Sequence, residues 1–352
     1  MKAIVHTRYG GPEVLSLGEA PLPKTGEDEI LVKVHASSVT TADWRMRAAA
    51  FPPALWLPGR LMTGLFRPRH AIPGGEFAGR VVETGRAVRR FKPGDSVFGF
   101  SGHGANAEFL AIREDACVAP SPASLSFAEA AALPFGGLAA LVFLRDFARV
   151  SPGQDVLVVG ATGGVGSYAV QIARALGARV TAVCSAANGW LARDLGAEDV
   201  IDYHTESPLD RPRRYDVVFD TVGAMNVPAS RAILKPGGLF LPLNFSLPEI
   251  YHALRGRMFG GPRVHIGVNA DRAEDLETLA EMVWNGQLRP VIDRIYPLQD
   301  VPDAHAYVQR RHRKGAVVIT TATGAAPAAL PSEGVMPGLV AEPVPHGICL
   351  QV

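Results

Sequence analysis

Apolar and polar positions along the chain follow two rhythms. In the first third, Ile30-Leu-Val-Lys-Val-His35 alternates as a half-buried strand does, and Val81-Val82 and Ser96-Val97-Phe98 follow glycine or Pro-Gly-Asp punctuation. This spacing predicts a small β-rich unit. From about Pro152 the order becomes strand, turn, helix, strand: apolar residues 156–159, helical spacing over 163–176, and a strand at 179–183. Further strands fit residues 216–220 and 239–243, with a helix at 226–234 between them. Such alternation predicts a parallel sheet covered by helices. A helix at 273–284 then leads to strand-like runs at 290–296 and 315–320, which are expected to rejoin the first unit. From about Thr321 the chain is rich in Ala, Pro and Gly without periodicity, which predicts a disordered tail.

Composition narrows the classes. A chain of 352 residues has room for two cores, and 47% hydrophobic with 20% charged residues describes a folded protein. A net charge of +1 gives no long-range field for nucleic acid or an anionic membrane, so nucleic acid is not an expected partner. Cys117, Cys184 and Cys349 are too far apart in sequence for a disulfide framework or zinc knot, which favours a reducing, cytoplasmic setting. The N-terminus MKAIVHTRYG lacks a secretory pattern, and no apolar run approaches the ~20 residues needed to span a bilayer.

The most informative stretch is Val156-Leu-Val-Val-Gly-Ala-Thr-Gly-Gly-Val-Gly166. A buried strand turning sharply into a helix presents free N–H groups and a positive dipole end to a pyrophosphate, and glycines permit the close backbone approach. Ala161 occupies the place of the first glycine of G-x-G-x-x-G, with Thr162, Gly163, Gly164, Val165 and Gly166 completing the turn. The strand that follows ends at Ser185 without the acid that would bind a ribose 2′-hydroxyl. Ser185 and Asn188 can instead donate to a 2′-phosphate, which favours NADPH. Tyr203 and Arg193 either complete that pocket or are a half-buried strand aromatic and a solvated helix residue. Val222, Gly223, Leu243 and Asn244 follow strand ends, where open α/β sheets bind ligands, and are expected to border the nicotinamide.

Several ordered motifs carry a family resemblance: Ala161-x-Gly-Gly-Val-Gly166, Pro73-Gly-Gly-Glu-Phe-Ala-Gly79, Phe91-Lys-Pro-Gly-Asp-Ser-Val-Phe-Gly99, Leu195-Gly-Ala-Glu-Asp-Val-Ile-Asp-Tyr203, Leu234-Lys-Pro-Gly-Gly238 and Pro290-Val-Ile-Asp-Arg-Ile-Tyr-Pro-Leu298. Together they resemble the quinone oxidoreductase (zeta-crystallin-like) family of zinc-independent medium-chain dehydrogenases/reductases. The resemblance implies an α/β protein with a GroES-like β-rich catalytic domain at 1–120, completed by 268–320. A Rossmann doubly wound parallel-sheet domain at 121–267 would bind NADP, leaving 321–352 as the tail. It also implies a homodimer that transfers hydride from NADPH to a quinone or an α,β-unsaturated carbonyl compound. Zinc-dependent relatives need a Cys near position 40 and a His after Gly74, whereas this chain has Ser38-Val-Thr-Thr-Ala-Asp43 and Gly75, so no metal is expected.

Thr40 stands where similar enzymes often have Asn, and its hydroxyl is the candidate catalytic donor to the developing oxyanion. Asp43 reads as a helix N-cap rather than an acid or base. Residues 51–66 either line the acceptor pocket, through Phe51, Trp56 and Phe66, or cover the core. Relatives often carry Gly-Lys before the last strand, but here the order is Lys314-Gly315-Ala316. These departures motivate the alternative of a cofactor-binding, catalytically weak scaffold or redox-responsive binding protein. Arg86/Arg89/Arg90, Arg211/Arg213/Arg214 and residues 310–314 read as solvated surface. His6, His35, His103 and His265 have no metal-like spacing.

Overall fold

The computed structural model describes residues 1–51, 56–259 and 263–321. The tail beyond Thr321, including Cys349, lies outside the described residues, as do residues 52–55 of the apolar segment. Thr321 itself is not tail: it is buried, and its N–H donates to His35 O at 3.2 Å.

The alternating run near residue 30 belongs to the long strand Glu29–Val39. It pairs antiparallel with Glu76–Thr84, with Phe109–Arg113 and, toward its end, with Ala316–Thr320. Ser96–Phe100 and Val118–Pro120 extend this sheet on one side, and Ile292–Pro297 lies parallel to Ala316–Thr320 on the other. C-terminal strands thus complete a seven-stranded sheet begun by the N-terminal ones.

The second sheet is parallel, with the order Asp199–Asp202, Arg179–Cys184, Asp155–Val159, Tyr215–Asp220, Leu234–Pro242, Arg263–Val264. Asp155–Val159 is buried throughout, as a strand covered on both faces must be. Its helix runs from Gly166 to Ala175, starting later than the spacing predicts because residues 160–165 form the turn. The strand predicted at 239–243 begins earlier, at Leu234, directly after the helix Val227–Ile233. Strand order reverses between Asp155–Val159 and Tyr215–Asp220, the topological switch point whose C-terminal side offers a crevice. The largest apolar cluster joins the two sheets, packing Ala36, Ala78 and Phe98 in one core with Val156, Val158 and Phe219.

Candidate active site

At the switch point, backbone closeness is the dominant feature. Gly160, not Ala161, takes the left-handed conformation (φ +77°), and both N–H groups donate to Val183 O. A Cβ on Gly160 would meet Val222 Cγ1 at 2.5 Å, and one on Gly166 would lie 2.0 Å from Gly160 O. Gly163 is looser, its nearest neighbour at 3.3 Å. The helix start at Val165 has no side-chain cap, and among the described residues the N–H groups of Gly164, Val165 and Gly166 have no acceptor. Unspent donors at the positive end of a helix are what a pyrophosphate requires.

Thr162 ties this turn to two other segments: its carbonyl accepts Gly315 N–H at 2.8 Å and its hydroxyl faces Asn188 Nδ2 at 3.4 Å. Asn188 Oδ1 is buried without a partner among the described residues. Ser185 caps the short helical turn Ala186–Asn188 through backbone alone, so its hydroxyl is free of that duty. Tyr203 follows the neighbouring strand, holds Cys184 O through its N–H at 3.3 Å and is about half exposed. Arg193 is exposed on the next helix. The strand Arg179–Cys184 ends at Ser185 with no carboxylate in that place.

On the other side of the switch point, Asp220 is fully buried and accepts the N–H groups of Val222, Gly223 and Met225 at 2.7–3.0 Å. Burial pushes its carboxyl upward in pKa, against those three donors. This carboxylate shapes the loop that sets Val222 on Gly160 and Gly223 (φ +80°) beside Asn244. Leu243 packs into the large core instead, so it holds the loop rather than lining the crevice with its side chain. Asn244 donates to Thr221 O at 3.2 Å and accepts from Arg45 Nη1 at 2.7 Å. Arg45 forms no ion pair among the described residues, and its guanidinium is lowered in pKa by burial and by nearby Arg311.

Thr40 is the true N-cap of the helix Thr41–Ala48, and Asp43 is the third helical residue of a capping box, which corrects the reading of Asp43 as the cap. The Thr40 hydroxyl donates to Asp43 Oδ2 at 2.5 Å and accepts Asp43 N–H at 3.3 Å. The hydroxyl is thus engaged within the helix start in this structure, whereas the sequence reading expects a catalytic donor there. Behind it lies a buried carboxyl pair. Asp43 is raised in pKa by burial, and Glu76, bonded by Ser38 Oγ and by Phe135 N–H at 2.6 Å, is pushed up to about 8 by the same cause.

Arg313 balances that pair. It donates to Val39 O at 2.8 Å, and a Cβ on Gly164 would lie 2.9 Å from its Nη2, which puts the guanidinium at the phosphate turn. The cluster at 310–314 is thus not wholly solvated surface. Lys314 spends its N–H on Asp293 at 3.0 Å. Arg213 is also engaged, joining Arg179 and Lys235 around Asp155, whose carboxyl these cations hold well below its usual range. Arg86 pairs with Glu27 and Arg90 with Glu277 on the surface. His35 stacks on Phe127 and His103 on His70, both structural roles.

A doubly wound sheet with uncapped donors at its switch point defines a dinucleotide-binding class. The sequence profile for "Alcohol dehydrogenase GroES-like domain" matches residues 26–178, and that for "Zinc-binding dehydrogenase" matches 195–319. A quinone-oxidoreductase homolog of Spinacia oleracea chloroplasts is 32% identical, covering 91% of this chain and 98% of its own length. A chloroplastic NADPH-dependent alkenal/one oxidoreductase of Arabidopsis thaliana is 31% identical, covering 91% and 79%. Among solved structures, Escherichia coli quinone oxidoreductase complexed with NADPH superposes with a TM-score of 0.77 at 26% identity, covering 91% and 100%. The chain belongs to the quinone oxidoreductase family of medium-chain dehydrogenases/reductases, with a GroES-like domain and a Rossmann domain.

The zinc in the second profile's description does not fit these residues. The stretch Ser38–Asp43 offers no thiolate near position 40, Gly75 stands where the imidazole would, and Ser38 is bonded to Glu76. Among the described residues no group of three or more His, Cys, Asp or Glu side chains converges to hold a metal. NADPH does fit: the glycine cradle and the free N–H groups supply what its pyrophosphate needs.

Proposed function

We propose that this protein is an NADPH-dependent oxidoreductase that reduces quinones or α,β-unsaturated carbonyl compounds without a metal. The observation that carries the reading is the uncapped glycine turn at residues 160–166, faced by Arg313 and joined to Asn188. Bound NADPH supplies a hydride from its nicotinamide. Gly164, Val165 and Gly166 would hold the pyrophosphate through backbone N–H groups, with Arg313 adding charge-assisted donation. Ser185, Asn188 and Tyr203 would surround the 2′-phosphate, and Val222, Gly223 and Asn244 would border the nicotinamide.

As hydride arrives, the acceptor oxygen gains negative charge and needs a donor already in place. Thr40 has none to spare, so this role passes to Arg45, a half-buried guanidinium held beside the nicotinamide border by Asn244. Thr40 then acts as a positioning residue, fixing the helix that carries Arg45. The scaffold alternative loses its motive here: Gly315 N–H still pins the last strand to Thr162, and Arg313 supplies the cation that the Lys314 shift removes.

Buried free thiols at Cys117 and Cys184 support a reducing, cytoplasmic location. A homodimer is part of the same proposal, as the family resemblance implies. The test is steady-state NADPH oxidation with a panel of quinones and enones, before and after exhaustive chelation. Turnover unaffected by chelation is expected; tight NADPH binding with no turnover on any acceptor would overturn the catalytic reading.

A further inference from the structure

The helix Trp56–Thr63 is packed inside out. An ordinary surface helix turns its large apolar residues to the core and its small polar ones to water. Here Gly59 is the buried residue, and it lies so near the Phe51 ring that a Cβ would fall 2.6 Å from it. Thr63, one turn on, meets the Tyr9 hydroxyl at 3.1 Å, and Tyr9 also donates to Gly64 O at 2.7 Å. Small residues thus seat the helix on the body of the protein. The large ones face outward: Leu61 is 57%, Met62 64% and Phe66 88% exposed, with Trp56 and Leu57 about half exposed beside them.

The segment that carries this face has charge of one sign. Between Asp43 and Glu76 the sequence contains no acidic residue, while Arg60, Arg67 and Arg69 stand among the exposed apolar side chains. None of these three arginines forms an ion pair among the described residues. Arg60 lies over the Tyr9 ring at 4.1 Å, on the side that seats the helix, whereas Arg69 donates to Leu61 O at 3.2 Å and so flanks the apolar face. At eight residues the helix is about 12 Å long, too short to span a bilayer but suited to lying along one.

We propose that this face is a docking surface for an anionic lipid bilayer, with Leu61, Met62 and Phe66 entering the headgroup boundary and the exposed Arg67 and Arg69 meeting lipid phosphates. An apolar face with arginines and a tryptophan at its border has the chemistry of an interfacial amphipathic helix. A second copy of the chain fits less well, because a two-fold interface would set this cationic stretch against itself. The docking reading is independent of the catalytic one: it concerns adsorption, not turnover.

Co-sedimentation of the full chain with vesicles of equal parts phosphatidylglycerol and phosphatidylcholine, against pure phosphatidylcholine, tests the proposal. Binding to the anionic vesicles, reversed by salt, is expected, with a loss of about tenfold or more in lipid affinity for Leu61→Ser/Phe66→Ser. Arg67→Gln/Arg69→Gln should weaken binding as well, and serves alone should the first variant fail to fold. Protein remaining in the supernatant, or binding equally to both vesicle types, would overturn the proposal. So would an oligomer, seen by light scattering, that Leu61→Ser/Phe66→Ser disperses while the wild type ignores lipid.

Discussion

Glycines serve opposite ends in two segments of this chain. In the turn at 160–166 they draw backbone onto backbone, with Gly166 against Gly160 O, and the result is a set of N–H groups that nothing among the described residues uses. In the helix Trp56–Thr63, Gly59 draws a helix onto a Phe51 ring, and the result is a set of large apolar side chains that nothing in the described protein covers. One segment prepares polar donors for a phosphate, the other apolar surface for something outside the fold. In both, a small residue inside marks where the chain keeps unspent binding capacity outside.

The largest effect should come from closing the first of these. Gly166→Val puts side-chain atoms where Gly160 O already stands, at an overpacking cost of about 1–3 kcal/mol. It is expected to abolish NADPH binding measured by calorimetry, whereas Gly163→Ala, with its nearest neighbour at 3.3 Å, should retain most of it. Equal losses in the two variants would mean that packing at Gly166 is not what shapes the seat.

Next in size is Arg45. Replacement by Met should lower kcat by about 10²–10³ with little change in the Kd for NADPH, as removal of an oxyanion donor does. Lys should recover part of the rate, since it keeps the charge without the planar fork. A variant that changes NADPH affinity and leaves kcat alone would reduce Arg45 to a strut for Asn244.

Arg313→Gln tests the boundary between the turn and the buried carboxyls. Loss of one charge-assisted contact, worth about 1.5–3 kcal/mol, predicts a rise of roughly 10- to 100-fold in the NADPH Kd. It also leaves Asp43 and Glu76 without their cation. Burial already holds Glu76 up to about 8, so its protonated form is favoured in the folded state. That contribution to stability is complete below the ordinary value of 4.5 and is lost as pH rises through about 8. The variant should melt lower at every pH, and increasingly so toward alkaline pH. A smaller effect is expected at Asn188: Asp there should narrow the preference for NADPH over NADH, and an unchanged ratio would remove Asn188 from the 2′-phosphate pocket.

Legibility in the sequence followed the range of the interactions. The phosphate turn was readable because strand, glycines and helix are neighbours in the chain, although the left-handed residue proved to be Gly160. Asp220 ends an apolar strand just before Thr-Val-Gly, a local signal that was available. Arg313 was not readable: it sits in a run of five residues that are all basic or histidine, and only pairing of the last strand with Glu29–Val39 buries it. Thr40 looked like a free hydroxyl because the reciprocal bonds with Asp43 depend on which residue begins the helix. The apolar run at 51–66 was read as pocket or core because apolar residues usually pack inward, and the net charge of +1 concealed a long stretch without any acid.

The most direct measurement is a crystal structure of the chain soaked with NADPH. The account predicts the pyrophosphate within hydrogen-bonding distance of the Gly164–Gly166 N–H groups and Arg313, and the 2′-phosphate beside Ser185 and Asn188. Clear density for the cofactor elsewhere, or none at saturating concentration with the turn unobstructed, would contradict it.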